Sequence, residues 1–305
     1  MTDLLTFLKE EQIDPALIDG VREFRENYPA EGSRYANRLI APEAVYYGNA
    51  VWEKTIAAIL TGRNLLLAGP KATGKNVLAD NLCALFARPA WNVSFHIGMD
   101  AYGLIGMDTY DGEKVVFRPG PVYLAAKEGG FAVLDEVNMA KNESLAVLHA
   151  ALDHRRVIDV PGYDRIDVSP ATRFIGTMNY GYAGTRDLNE ALSSRFVILS
   201  MPPISGEDLT RLLAARFPGM KERVRDQFVR LFLEIMKKAE EGEITERALD
   251  LRGLLDAIAL ISCGTRAGDA LTMCLVNKTF DGYERSLIRD VIEARIPSDL
   301  SKADL

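Results

Sequence analysis

The octapeptide Gly69-Pro70-Lys71-Ala72-Thr73-Gly74-Lys75-Asn76 constrains this chain more than any other stretch. It follows the apolar run Leu65-Leu66-Leu67-Ala68 and precedes a helical pattern over 77–86. A buried strand, a glycine-bearing turn and a helix, in that order, curl successive backbone N–H groups around an anion. The helix adds its positive end at the same point. Lys75 then reaches the β and γ phosphates of a nucleotide as a mobile charge. The residues expected at the nucleotide are Gly69, Pro70, Lys71, Ala72, Thr73, Gly74, Lys75, Asn76 and Val77. Asn76 stands where such loops usually carry Ser or Thr for magnesium. Its amide oxygen can face the ion directly or through water.

The loop calls for a parallel sheet, and the sequence supplies further short apolar strands at 91–95, 131–134, 173–177 and 196–199. Helices are expected over 42–60, 122–127 and 144–152. Two hairpins are expected, one around 98–118 turning at Asp111-Gly112 and one over 157–170 turning at Pro161-Gly162. Pro202-Pro203 interrupts the pattern, and helical periodicity dominates beyond it. The expected organisation is a helical leader over 1–38, an α/β nucleotide-binding domain over 39–202 and a helical lid domain over 203–305.

With 305 residues, 48% apolar and 26% charged, the chain has ordinary globular composition and is neither disordered nor collagen-like. Three dispersed cysteines exclude a disulfide scaffold and lack the pairing of a zinc site. A net charge of −7 does not call for nucleic acid. The first residues lack a basic flank before an apolar core, and no apolar run is long enough to span a bilayer. The expected location is therefore the cytoplasm.

Phe131-Ala132-Val133-Leu134 runs into Asp135-Glu136. Ligands of open α/β sheets gather at the carboxyl ends of strands. If this strand neighbours 65–68, Asp135 lies beside the loop and can hold magnesium, with Asn76 as the other candidate ligand. Glu136 can then activate water against the γ phosphate. Asn179, at the end of the 173–177 strand, can position that water, or it can be a turn residue. Arg195 is either a surface residue paired with an acidic neighbour or a residue that reaches the nucleotide of an adjacent subunit. Arg252 can close onto ATP from the helical domain or be a solvated helix residue, with Arg247 and Arg266 as rivals.

Taken together, GPKATGKN, FRPGPVYLAAKEGGFAVLDEVNMAKNESLAVLHAALDHRRV and IGTMNYGYAGTRDLNEALSSRF resemble a MoxR-type AAA+ ATPase. They are similar to the dynein-related branch that includes the nitric-oxide-reductase and rubisco activation ATPases. The resemblance covers about residues 40–300. It implies a P-loop NTPase αβα sandwich of AAA+ type with a parallel core sheet, followed by a small helical lid domain. It also implies Lys75 on the phosphates, Asp135 with magnesium, Glu136 as the water-activating carboxylate and Asn179 as the first sensor. Arg195 is implied as the finger acting on a neighbouring subunit, and Arg252 as the second sensor. The cofactors implied are ATP and Mg2+. The implied assembly is a hexameric ring of this chain that remodels a protein client, with a von Willebrand A domain protein as partner. The two hairpins resemble family insertions facing the pore or substrate. A nucleotide-binding switch with little hydrolysis and a DNA-remodelling ATPase are the alternatives, the second disfavoured by the acidic total.

Overall fold

In a computed structural model of the chain, residues 3–30, 35–179, 188–246 and 248–305 are described. The chain enters through α1 (Leu4–Glu10) and α2 (Pro15–Asn27), each opened by an aspartate. Asp3 accepts the N–H groups of Leu5 and Thr6, and Asp14 that of Ala16. Helix α3 (Asn49–Leu60) begins at Asn49 rather than at 42. The side chain of Asn81 accepts the Tyr46 N–H and donates to the Ala44 carbonyl, both at 2.8 Å. These backbone groups are thereby satisfied outside any helix.

Next come β1 (Leu65–Ala68), α4 (Lys75–Leu85), β2 (Ala90–Ser94) and α5 (Ala101–Ile105). The strands β3 (Gly106–Tyr110) and β4 (Val115–Pro119) form a hairpin. Its loop spans 111–114 rather than two residues, because Asp111 accepts the N–H groups of Glu113 and Lys114 at 3.0 Å each. Then follow α6 (Pro121–Glu128), β5 (Phe131–Asp135), α7 (Asn142–Leu145) and α8 (His149–Leu152). The single helix expected over 144–152 is thus interrupted, with a tighter turn at Ala146–Leu148 between α7 and α8. The second hairpin, β6 (Val157–Ile158) with β7 (Ile166–Asp167), has strands of two residues each. The series closes with β8 (Arg173–Met178), α9 (Glu190–Ser193) and β9 (Val197–Ser200).

Five strands make one parallel sheet in the order β2-β5-β8-β1-β9. Residue alternation sends the two faces into separate cores. Leu65, Leu67, Phe131, Val133 and Ile175 pack with residues of α1–α4. Leu66, Ala132, Leu134 and Phe174 pack with Val122, Ala125, Leu145 and Leu148 on the other side. The result is three layers, helices over both faces of the sheet. The strand carrying Asp135 does not neighbour the one leading into the loop, because β8 lies between β1 and β5.

Arg173, at the start of β8, donates Nε to the Ile59 carbonyl at 2.7 Å, in the last turn of α3. A cation there complements the helix's negative end. Burial pushes this guanidinium down to about 10.

The chain divides into two units, one of Met1–Pro70 with Lys75–Pro202 and one of Lys71–Gly74 with Pro203–Leu305. Residues of α1 and α2 (Leu4, Phe7, Leu8, Ile18, Val21, Phe24) belong to the core of the first unit. The second unit holds α10 (Gly206–Arg216), α11 (Glu222–Glu240), α12 (Leu251–Ser262), α13 (Ala267–Cys274) and α14 (Gly282–Arg295). Its core includes Leu213, Phe228, Phe232, Ile258 and Ile288.

Candidate nucleotide site

Because the sheet is parallel, the carboxyl ends of β1, β5 and β8 share one edge. The loop leaves β1 there, and its first amide, Gly69 N–H, donates to the Met178 carbonyl at 3.1 Å. Ala72 and Gly74 have φ of 62° and 77°, the left-handed values such a curl requires. Gly74 adopts this conformation freely, whereas Ala72 bears a strain of roughly 1–2 kcal/mol. Lys75 opens α4 and is 7% exposed. Its Nζ donates to the carbonyls of Gly69 at 2.9 Å and Pro70 at 2.6 Å. The lysine thus spans its own loop. Thr73 is buried; Lys71, Asn76 and Val77 are half-buried.

At the tip of β5, Asp135 is half-buried and Glu136 exposed. Thr177, buried on β8, donates its hydroxyl to Asp135 Oδ1 at 2.6 Å. The Thr177 hydroxyl oxygen in turn accepts the Glu136 N–H at 3.0 Å. Glu136 has φ 54° and ψ 46°, a left-handed conformation uncommon outside glycine. Its Oε1 accepts from Asn179 Nδ2 at 3.1 Å. Asn138, 2% exposed, donates Nδ2 to the Asn179 carbonyl at 2.7 Å, and its own buried Oδ1 has no hydrogen-bond partner among the described residues. The structure therefore brings Asp135, Glu136 and Asn179 together.

Thr177, Asn138 and Asp80 were not singled out by the sequence reading. Thr177 could have been: it is the one hydroxyl in Arg173–Met178, and it precedes Asn179 by two residues, the strand period that puts both on one face. Asn138 carries a weaker signal, two residues beyond Glu136. Asp80 lies four residues beyond Asn76 on α4, hence on the same helix face. Burial first, and then the charge of Asp135, push its carboxyl up.

Arg195 sits elsewhere in the first unit. It donates Nε to the His149 carbonyl at 3.2 Å and Nη1 to the Ala191 carbonyl, and pairs Nη2 with Asp153 Oδ2 at 3.3 Å. Arg155 shares that carboxylate at 2.8 Å. Hydrogen bonds from Arg155, and then from Arg195, hold Asp153 well below the usual carboxylate range. Arg252 is exposed on α12 of the second unit. Arg266 is the residue just before α13, and Arg247 lies outside the described residues.

A strand–loop–helix phosphate motif at the carboxyl edge of a parallel sheet, with an Asp-Glu pair and a polar strand end at the same edge, defines a P-loop nucleotide-binding fold. The family model described as AAA domain (dynein-related subfamily) matches residues 64–196. YojN of Bacillus subtilis, an uncharacterized protein, is 34% identical over 249 residues, covering 80% of this chain and 82% of that protein. SH1500 of Staphylococcus haemolyticus, also uncharacterized, is 30% identical over 261 residues, covering 84% and 99%. SAB1265c of Staphylococcus aureus is 32% identical, covering 76% and 90%. The chain carries an AAA domain of the dynein-related subfamily over residues 64–196, and its fold is the α/β P-loop fold of AAA+ type. Membership of the AAA+ ATPase superfamily goes with a capacity for nucleotide binding and hydrolysis. Among the described residues, no helix is long and apolar enough to cross a membrane.

Proposed function

We propose that this chain is a magnesium-dependent ATPase of MoxR-like type, assembled as a hexameric ring, that remodels or activates a protein partner. One observation carries the reading: the loop, the paired carboxylates and the sensor strand meet at one sheet edge. Gly69 bonds Met178, Thr177 bonds Asp135 and Asn179 bonds Glu136.

Lys75 exchanges its loop carbonyls for the β and γ phosphates, and the loop N–H groups take the remaining oxygens. Glu136 accepts a proton from the attacking water, and Asn179, bonded to the same carboxylate, orients that water. The donors suit magnesium. Among the described residues Asp135 Oδ2 takes no protein hydrogen bond, and Asn76 offers an amide oxygen. When bound, the ion neutralises charge developing on the phosphates. Arg195 acts on the nucleotide of a neighbouring subunit, and Arg252 senses it from the lid. The exposed Tyr102, Met107, Tyr110 and Val115 in and beside the first hairpin are where the protein client is engaged, directly or through a von Willebrand A domain protein.

Turnover of ATP should require magnesium and rise with protein concentration as rings form. Glu136→Gln should lower kcat by about 10²–10⁴, and Arg195→Ala by about 10³ or more. Full turnover by a monomer, unchanged in Arg195→Ala, ends the intersubunit part. Asn76 favours a second reading, a nucleotide-binding switch; a parent no faster than Glu136→Gln, with partner present, selects it.

A further inference from the structure

The sensor strand does more than carry Asn179 to the site. Strand β8 separates the loop strand from the carboxylate strand and pairs with both. Thr177 pairs in register with Leu67, two residues before the loop begins. It follows Gly176, which pairs with Leu134, the residue before Asp135. The residue is 1% exposed, and its hydroxyl has two partners, giving its hydrogen to Asp135 Oδ1 and accepting the Glu136 N–H.

We infer that Thr177 is a positioning residue for both carboxylates: one buried hydroxyl sets the direction of Asp135 and holds the left-handed turn that aims Glu136. The geometry explains why one atom serves both. Glu136 at φ 54° lies in a region an L-residue enters at a cost, so it persists only where the surroundings over-determine it. The Glu136 N–H points to Thr177 and its carboxylate to Asn179, so both ends of the residue are fixed from β8 and the residue that follows it. Asp135 accepts the hydroxyl at Oδ1, which leaves Oδ2 without a hydrogen bond among the described residues. Without the hydroxyl, Asp135 can rotate and the Glu136 amide loses a buried acceptor. Valine matches threonine in shape and β-branching and lacks the donor, so the strand itself tolerates the loss.

The inference rests on the ATP-hydrolysis reading, and the test separates the two. Thr177→Ala and Thr177→Ser, made in the full chain, remove the same methyl group and differ only in the hydroxyl. Melting curves without nucleotide report whether each folds, and Thr177→Val replaces Thr177→Ala if the alanine variant does not. Binding of a fluorescent ATP analogue is titrated with magnesium, and kcat and KM are measured alongside. Loss of the hydroxyl should raise the half-saturating magnesium concentration about 10-fold and lower kcat about 10–100-fold, the range for groups that orient a metal's ligands. KM for ATP should change little, and Thr177→Ser should stay close to the parent in every readout. Equal magnesium titrations and equal kcat in the hydroxyl-bearing and hydroxyl-free variants overturn the inference. A parent without turnover sinks the hydrolysis reading, while the magnesium titration still decides the role of Thr177.

Discussion

At Asp80 the structure places a second carboxylate within the electrostatic reach of Asp135. Its proton is held more tightly in the folded chain than in the unfolded one. The stability this group contributes is therefore greatest below the ordinary aspartate range and falls as pH rises through the raised folded value. Ionised Asp80 is a cost at neutral pH. Asp80→Asn, studied without nucleotide or magnesium, should melt at a higher temperature than the parent at neutral pH, and the advantage should shrink in acid. An advantage independent of pH would contradict this account. Asp80 was not legible in the sequence, because a lone aspartate on a helix usually faces water. Only the fold brings α4 beside the carboxyl end of β5.

Among the elements, the two hairpins are one structure. Tyr163, between β6 and β7, donates its hydroxyl to Asp108 of β3 at 2.6 Å, and its ring lies 5.0 Å from that of Phe117 on β4. Tyr163→Phe keeps the ring and removes the bond, a small loss for so exposed a pair. Tyr163→Ala removes both. Amide exchange over 106–119 should quicken slightly in the first variant and markedly in the second. Identical exchange in all three proteins would mean that the hairpins move independently. Local sequence indicates both hairpins, the first by a Gly-, Asp- and Tyr-rich stretch around Asp111-Gly112 and the second by alternating arms around Pro161-Gly162. It could not indicate their contact, which joins residues 55 positions apart.

At the level of the whole molecule, the leader is part of the nucleotide-binding unit's core. Phe24 of α2 meets Phe86 edge-on at 5.0 Å and Phe131 of β5 at 6.4 Å, and Arg173 lies over its ring at 5.5 Å. Phe24→Ala should destabilise the unit by about 3–5 kcal/mol, the range for a buried aromatic truncated in a core. Denaturant unfolding of the full chain measures this. An unchanged midpoint would show the leader to be dispensable for the fold. The sequence reading set residues 1–38 apart because their mixed polarity carried no motif. Their apolar residues find partners only once β5 and α4 are in place.

What the sequence alone determined were the parts written in local order: a strand, glycine turn and helix for phosphate, an apolar strand ending in Asp135-Glu136, and another ending at Asn179. Each follows from backbone chemistry within a few residues. Strand order was decided only by the tertiary structure. Putting β8 between β1 and β5 makes that strand, not direct adjacency of the two, the link from loop to carboxylates. Parallel pairing joins residues far apart in the chain, and a run of apolar residues buried on both faces carries no mark of which neighbour it will take.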